Sequence, residues 1–165
     1  MKFMTDGMLG KMTRWLRMMG HDVEYSTTMS DGDLLVVAKD EKRILLTRDL
    51  ELYKQAIVKG LEAFYVGGQS EAERLADLSK RFGIDLNIDM SSSRCPKCNT
   101  PVHPISKDKI AGKLEKNTLE HYSEFWDCRI CGQVYWQGAH WTRIRETFAD
   151  AEEILKGKTK NKERV

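Results

Sequence analysis

Four cysteines lie in two short motifs, CPKC at residues 95–98 and CRIC at residues 128–131, and the sequence contains no others. Two thiolate pairs at this spacing can surround a Zn²⁺ ion tetrahedrally, and the glycine after the second pair suits a tight turn. A disulfide or a thioredoxin-like redox pair is the alternative, but neither accounts for two copies of the motif. We therefore predict a structural zinc site whose ligands are Cys95, Cys98, Cys128 and Cys131.

Acidic side chains that follow predicted strands form a second candidate site. Asp6 follows the first predicted strand and Asp49 follows the third. Ligands of open parallel sheets bind beyond the carboxyl ends of the strands, so these two carboxylates are expected to converge, and Asp31 or Asp33 could supply a third. Grouped carboxylates repel one another, so such a cluster makes sense mainly around a hard divalent cation. Each aspartate could equally cap the helix that it precedes.

Basic side chains lie close to these aspartates in the sequence. Lys11, Arg14 and Arg17 recur at every third position of the first predicted helix, away from its apolar face, and Arg48 directly precedes Asp49. Arginine can bind a phosphate through two hydrogen bonds and offset its charge. We predict that these residues position a phosphodiester. A solvated helix surface with local salt bridges is the alternative.

The segment VYWQGAHWTRIRE, residues 134–146, interleaves aromatic residues with arginines. Such a pattern can stack bases and neutralise phosphates. It can also pack a small cysteine ribbon, which has little core of its own, onto a larger domain. We favour packing for the tryptophans and leave both roles open for Arg143 and Arg145.

The first half of the chain must hold the acidic residues in place, and it alternates predicted strands with predicted helices. Strands are predicted at residues 2–5, 21–25, 44–47 and 63–66. Each strand precedes a predicted helix, and Ser30 and Ser70 are suitable N-caps for the second and fourth helices. Alternation with short loops indicates an α/β fold with a mainly parallel sheet.

The chain divides into three predicted parts: an α/β domain over residues 1–90, a zinc ribbon with a packing helix over residues 91–156, and a disordered basic tail over residues 157–165. Residues 87–94, which contain three consecutive serines, are the expected linker. The two cysteine pairs are far apart for a short ribbon, so a loop around residues 107–116 is expected to project. The terminal helix is predicted over residues 142–155.

Composition limits the class of protein. A length of 165 residues with 41% hydrophobic content suits one domain and a small appendage. The sequence lacks a run of about 18 apolar residues and a secretory signal pattern, so we predict a cytoplasmic protein without a membrane partner. Residues 1–90 carry 13 Lys and Arg against 15 Asp and Glu, a net charge of −2, and the remainder carries 14 against 10, a net charge of +4. The basic half could bind an anionic partner such as nucleic acid, or it could be ordinary solvated surface.

The order of these motifs resembles a known family. The stretches FMTDGMLGKMTRWLRMMGHD, DGDLL and RILLTRD, followed by the paired cysteine motifs and VYWQGAHW, resemble the Mut-seven C-terminal RNase family over roughly residues 2–143. The resemblance implies a PIN-like nuclease domain that carries a zinc ribbon and cleaves RNA with a divalent metal. It places Asp6, Asp31 and Asp49 at the acidic positions, with Asp31 preferred to Asp33 because it lies three residues before the Leu34-Leu35 pair.

The function predicted from these features is metal-dependent RNA cleavage. Asp6, Asp31 and Asp49 would hold one or two Mg²⁺ or Mn²⁺ ions, and the phosphate would be positioned by Arg14, Arg17 and Arg48. The alternative is a non-catalytic RNA-binding or ribosome-associated adaptor that uses the ribbon and the tail. A third interpretation, a nucleotide-binding regulator, has no support from a phosphate-binding loop, because Gly67-Gly68 is too short a signal. A small-molecule substrate is not expected. The sequence predicts no particular oligomeric state.

Overall fold

The computed structural model describes residues 1–157. The predicted basic tail falls almost entirely on residues 158–165, which lie outside the described residues.

A four-stranded parallel sheet forms the centre of the first half of the chain. Its strands are β1 (Lys2–Thr5), β2 (Asp22–Tyr25), β3 (Ile44–Thr47) and β4 (Ala63–Tyr65), in the order β2-β1-β3-β4. Thr5 pairs with Tyr25 on one side and with Leu46 on the other, so the strands end at nearly the same level. The prediction of an α/β fold with a parallel sheet is confirmed.

A helix follows each strand of this sheet, and together the four helices cover both of its faces. The helices are α1 (Gly10–Met18), α2 (Asp31–Asp40), α3 (Leu50–Val58) and α4 (Glu71–Phe82). A single 3-10 turn over Gly7–Leu9 leads into α1, which buries Met12, Trp15 and Leu16 at helical spacing. Gly83 ends α4 in the left-handed conformation, with φ of 66°, which glycine adopts without a steric penalty.

The second half contains a small antiparallel sheet and a long final helix. The elements are β5 (His103–Pro104), α5 (Lys107–Ile110), α6 (Lys116–His121), β6 (Trp126–Asp127), β7 (Val134–Tyr135) and α7 (Ala139–Leu155). The strand order β5-β6-β7 brings the two cysteine motifs together. The inserted loop forms α5 and α6, and Ile110 anchors it in a small apolar cluster with Phe125 and Val134.

Two apolar layers hold the helices on the parallel sheet. On one face α1, α4 and α7 pack together, with Phe148 of α7 edge-on to Trp15 of α1 at 5.8 Å between ring centroids. On the other face, Met4 and Leu45 pack against α2 and α3. The final helix therefore lies on the α/β domain, where it completes the core.

Residues 87–94, the expected linker, are hydrogen-bonded to the α/β domain at their C-terminal end. Ser93 is buried, and its hydroxyl donates a hydrogen bond to the carbonyl of Met18 at 2.5 Å. The N–H of Arg94 donates to the carbonyl of Arg17 at 2.9 Å. These bonds attach the ribbon to the end of α1. Within residues 1–157, the structure has no helix of the length and apolarity that spanning a bilayer requires.

Candidate active site and metal centre

The carboxyl ends of β1 and β3 bring Asp6 and Asp49 to one edge of the sheet, and Thr47 connects them. The Asp6 side chain is buried and accepts a hydrogen bond from the Thr47 hydroxyl. The same hydroxyl oxygen accepts a hydrogen bond from the Asp49 N–H at 2.9 Å. One threonine at the end of a central strand therefore fixes one acidic side chain and the backbone of the other.

Both aspartates also cap the helical turns that follow them, as the alternative interpretation expected. Asp6 accepts a hydrogen bond from the N–H of Met8 at 2.9 Å. The Oδ1 atom of Asp49 accepts hydrogen bonds from the N–H groups of Glu51 and Leu52 at 2.8 and 3.1 Å. Carboxylate oxygens have several lone pairs, so capping leaves acceptor capacity for a cation. Asp49 is exposed, and its Oδ2 atom makes no hydrogen bond to a described residue.

The structure separates the two candidates for the third carboxylate. Asp33 interacts with the cap of α2, because the Ser30 hydroxyl donates to it at 2.8 Å and accepts from its N–H at 3.2 Å. Asp31 is exposed, and its side chain forms no hydrogen bond or ion pair with any of residues 1–157. It does not form a compact ligand group with Asp6 and Asp49, because the only such group in the described chain is made of cysteines.

Arg14 and Arg48 offer guanidinium groups near this edge. Arg14 is exposed on α1, Arg48 is half-buried directly before Asp49, and neither forms a salt bridge with a described residue. Both guanidinium groups therefore have hydrogen-bond donors that a phosphate could accept.

Arg17 differs from the expected exposed stripe because it is buried. Its Nε and Nη2 atoms donate to the carbonyl of Val23 at 3.0 and 2.7 Å, and its Nη1 atom donates to the carbonyls of Pro96 and Lys97 at 2.9 and 3.3 Å. Steps of three residues drift around a helix of 3.6 residues per turn, so the third member of the stripe turns toward β2. This geometry favours a structural role for Arg17.

The four cysteines form a compact group whose sulfur atoms all lie within 4.8 Å of one another. The Sγ atoms of Cys95 and Cys131 are 3.6 Å apart, and those of Cys98 and Cys128 are 3.3 Å apart. Tetrahedral Zn–S bonds of 2.3 Å require sulfur atoms about 3.8 Å apart, so the group fits a metal such as zinc after a small expansion.

The surroundings of the cysteines suit a buried structural metal. Cys95 and Cys128 are fully buried, and Cys98 and Cys131 are partly buried. Tyr135 places its hydroxyl 3.0 Å from the Sγ atom of Cys95, which makes it an outer partner of the site.

The first cysteine motif also covers the edge strand β2. Asn99 accepts a hydrogen bond from the N–H of Val23 at 3.1 Å and donates one to Asp22 at 2.7 Å. Arg43 forms a salt bridge with the same aspartate at 2.8 Å. Burial raises the pKa of Asp22, but the hydrogen bonds from Arg43 and Asn99 outweigh it and hold the pKa below its ordinary value.

Sequence analysis missed Thr47 and Asn99. The signal for Thr47 was a hydroxyl at the end of an apolar strand, two residues before an aspartate. The signal for Asn99 was an asparagine directly after a cysteine pair, where its φ of 68° is one that asparagine tolerates better than most residues.

These features define a class of protein, an α/β domain with a parallel sheet, an acidic sheet edge and an attached four-cysteine ribbon. A family model, the Mut7-C RNAse domain, matches residues 1–148. The chain belongs to this family, which indicates a nuclease or RNA-related role. Comparison with curated proteins and comparison with solved structures returned no match.

Proposed function

We propose that this chain is a divalent-metal-dependent ribonuclease that cleaves RNA phosphodiester bonds at the carboxyl edge of its parallel sheet. The observation that carries the proposal is the arrangement of Asp6, Thr47 and Asp49 at that edge, in a chain whose family is an RNAse domain. A catalytic site of this type needs an anchored carboxylate and a carboxylate that an ion can reach, and here Asp6 is anchored and Asp49 is exposed.

Asp6 and Asp49 fit the chemistry of Mg²⁺ or Mn²⁺. These ions are commonly bound by one or two carboxylates, with waters and substrate phosphates completing the coordination. Asp6 is held rigidly by Thr47, and Asp49 exposes one oxygen without a protein partner among residues 1–157. Asp31 would act as an outer ligand through water, since the three aspartates do not form a compact ligand group in the described residues.

The cation, when bound, would activate a water for attack and offset the charge of the scissile phosphate. Arg48 and Arg14 would donate hydrogen bonds to the phosphate and orient it against Asp6 and Asp49. Arg17 would hold α1 against β2 and the ribbon, and so keep Arg14 in place. Zinc at the four cysteines would be structural.

One set of observations favours a second candidate function, a non-catalytic RNA-binding adaptor. Asp6 and Asp49 both cap helical turns, and Asp31 lies in the first turn of α2, where a negative charge favours the helix N-terminus. Each aspartate therefore also has a purely structural explanation. An adaptor would bind RNA through its basic surfaces and would leave the strand intact.

Cleavage of a mixed set of labelled RNAs separates the two functions. The protein is assayed without added metal, with Mg²⁺ or Mn²⁺, and with a chelator followed by restoration of Mg²⁺, while its zinc content is measured in parallel. The nuclease account predicts cleavage that the chelator abolishes and Mg²⁺ or Mn²⁺ restores at constant zinc. Binding without metal-dependent cleavage would support the adaptor.

A further inference from the structure

A groove runs along α1 on the side that faces the ribbon and α7. Its inner part has a volume of about 430 Å³ and lies between Trp15 of α1, Trp136 of the ribbon and Arg143 of α7. Its outer part, of about 370 Å³, continues along α1 past Lys97. The two parts are contiguous because both are lined by Arg14, Pro96 and Tyr135. We call the whole the basic groove.

The charge of the basic groove has one sign. The inner part is lined by Lys11, Arg14 and Arg143, and the outer part adds Lys97. Neither lining contains an aspartate or a glutamate, although acidic residues make up 25 of the 165 residues. Such a surface complements a polyanion.

Aromatic residues supply flat walls in the inner part. Tyr135 and Trp136 are half-buried and line it together with exposed His140. Trp141 also lines it and is buried, in keeping with its predicted packing role. Base faces can stack on the half-buried rings of Tyr135 and Trp136.

The outer part of the basic groove leads toward the acidic edge of the sheet. It ends at Tyr25 and Gly10. Tyr25 pairs with Thr5, the residue before Asp6, and its hydroxyl lies 3.4 Å from the carbonyl of Gly7. A side chain at Gly10 would place its Cβ atom 2.7 Å from the Tyr25 hydroxyl, so a substitution there would displace the ring of Tyr25.

We infer that the basic groove binds single-stranded RNA, with an unpaired base beside Trp136 and the phosphate backbone along Arg14 toward Asp6. The inference rests on the proposed function, for which it names the form of the substrate. A single strand fits because stacking on these walls needs base faces that a duplex conceals. The inner part, of about 430 Å³, also lies in the size range of sites for single small ligands, which suits one unpaired base.

The test is equilibrium binding of a labelled single-stranded RNA and of its matched duplex to the zinc-loaded protein, without added Mg²⁺ or Mn²⁺. The groove variant is Arg143→Ala and the matched control is Arg145→Ala. Both arginines are exposed on α7, but Arg145 lines a separate depression that includes Glu152. Arg143→Ala should weaken single-strand binding about tenfold and reduce the salt slope by about 1, whereas Arg145→Ala should change neither.

Trp136→Leu keeps an apolar side chain in the ribbon cluster but removes the stacking surface, so it should also weaken binding about tenfold. Unfolding curves identify any loss of folding, and Arg14→Ala on the exposed surface of α1 provides a second groove variant. Equal effects of Arg143→Ala and Arg145→Ala, or equally tight binding of duplex and single strand, would overturn the inference.

Cleavage assays on the same variants separate failure of the groove from failure of the proposed function. If the protein cleaves RNA with metal but Arg143→Ala does not change single-strand binding, RNA binding by the basic groove is refuted and the proposed ribonuclease activity stands. If Arg143→Ala selectively weakens single-strand binding but the protein never cleaves RNA, RNA binding by the basic groove is supported and the proposed ribonuclease activity is refuted.

Discussion

Thr47 is the residue on which the geometry of the acidic edge depends. It is fully buried, donates to Asp6 and accepts from the N–H of Asp49. If a buried carboxylate loses its hydrogen-bond donor, the folded protein becomes less stable. If a catalytic carboxylate loses its orientation, the rate of the reaction falls.

We predict that Thr47→Val, which keeps the shape of the side chain but lacks the hydroxyl, lowers the free energy of unfolding by about 1–3 kcal/mol. It should also reduce RNA cleavage, because Asp6 is no longer held. Denaturant unfolding and a cleavage assay measure the two effects. Thr47→Ser is the control, since it restores the hydroxyl. Wild-type stability and cleavage in Thr47→Val would show that the bridge has no role.

Arg17 allows a second prediction at this scale. Replacement by Met removes the hydrogen bonds to the carbonyls of Val23, Pro96 and Lys97, so Arg17→Met should lower the free energy of unfolding by roughly 2–4 kcal/mol. Arg14→Met, one turn earlier on the exposed surface, should change it by less than about 0.5 kcal/mol. Equal effects in urea unfolding would contradict the structural role of Arg17.

The sequence allowed Asp6 and Asp49 to be predicted together because both follow central strands, and the sheet rule places such residues at one edge. It did not reveal the burial of Arg17, because the direction in which a helix faces its neighbours depends on contacts with residues about 80 positions away. Thr47 looked like an ordinary strand residue, and only its contact with Asp6 across the sheet distinguishes it.

At the scale of elements, β2 is an edge strand that the first cysteine motif protects. Its N–H and carbonyl groups at Val23 are bound by Asn99 and Arg17. Unpaired groups on edge strands can pair with another chain, and at Val23 this cover occupies them.

His21, which lies directly before β2, makes stability depend on pH. Burial and the nearby amino group of Met1 lower its pKa from 6.5 to about 4. Between these values the unfolded chain binds a proton that the folded chain excludes, so the free energy of unfolding should fall as the pH falls from about 6.5 to about 4. His21→Gln should remove this part of the pH dependence in urea titrations. An unchanged slope in the variant would refute the assignment to His21.

The elements of the α/β domain were predictable from local sequence patterns, and the small elements of the ribbon were not. The strands β1 and β3 and the helices α2 and α4 have apolar spacing and caps that can be read locally. The ribbon strands contain two residues each, too few to show a period. The helices α5 and α6 form inside a loop, where Ile110 anchors them by contacts that only the folded ribbon provides.

At the scale of the whole molecule, the cysteine centre and the α/β domain form a continuous structure. Arg17 binds two carbonyls within the first cysteine motif, and Asn99 at its end binds the backbone of β2. Loss of the metal should therefore loosen the edge of the parallel sheet as well as the ribbon.

We predict that Cys128→Ser releases the zinc and lowers stability, because metal binding and folding are coupled in such modules. Hydrogen exchange at the amide of Val23 should become faster, since Asn99 no longer stays in place. Elemental analysis and exchange mass spectrometry measure both. Ile130→Ser is the matched control, because Ile130 lies in the same motif but is 74% exposed. A metal-free Cys128→Ser protein with unchanged exchange at Val23 would contradict the coupling.

The attachment of the ribbon to the domain could not be predicted from the sequence. Its hydrogen bonds join residues that are separated by about 75 to 80 positions, as for Ser93 with Met18 and Arg17 with Lys97. Patterns along the sequence report local structure, whereas these pairs depend on how finished elements pack.

The central claim is that Asp6 and Asp49 hold a divalent cation on which RNA cleavage depends. The most direct test is single-turnover RNA cleavage at matched Mg²⁺ or Mn²⁺ by the wild type, Asp6→Asn, Asp49→Asn and the double variant, with identical purification. Each single variant should lose about 10²-fold or more, and the double variant should lose little beyond that, because both residues serve one site. Asp49→Asn should still cap α3 and should bind RNA without metal at least as tightly as the wild type, because it has one fewer negative charge. Wild-type cleavage rates in both single variants would contradict the claim and leave the adaptor as the better account.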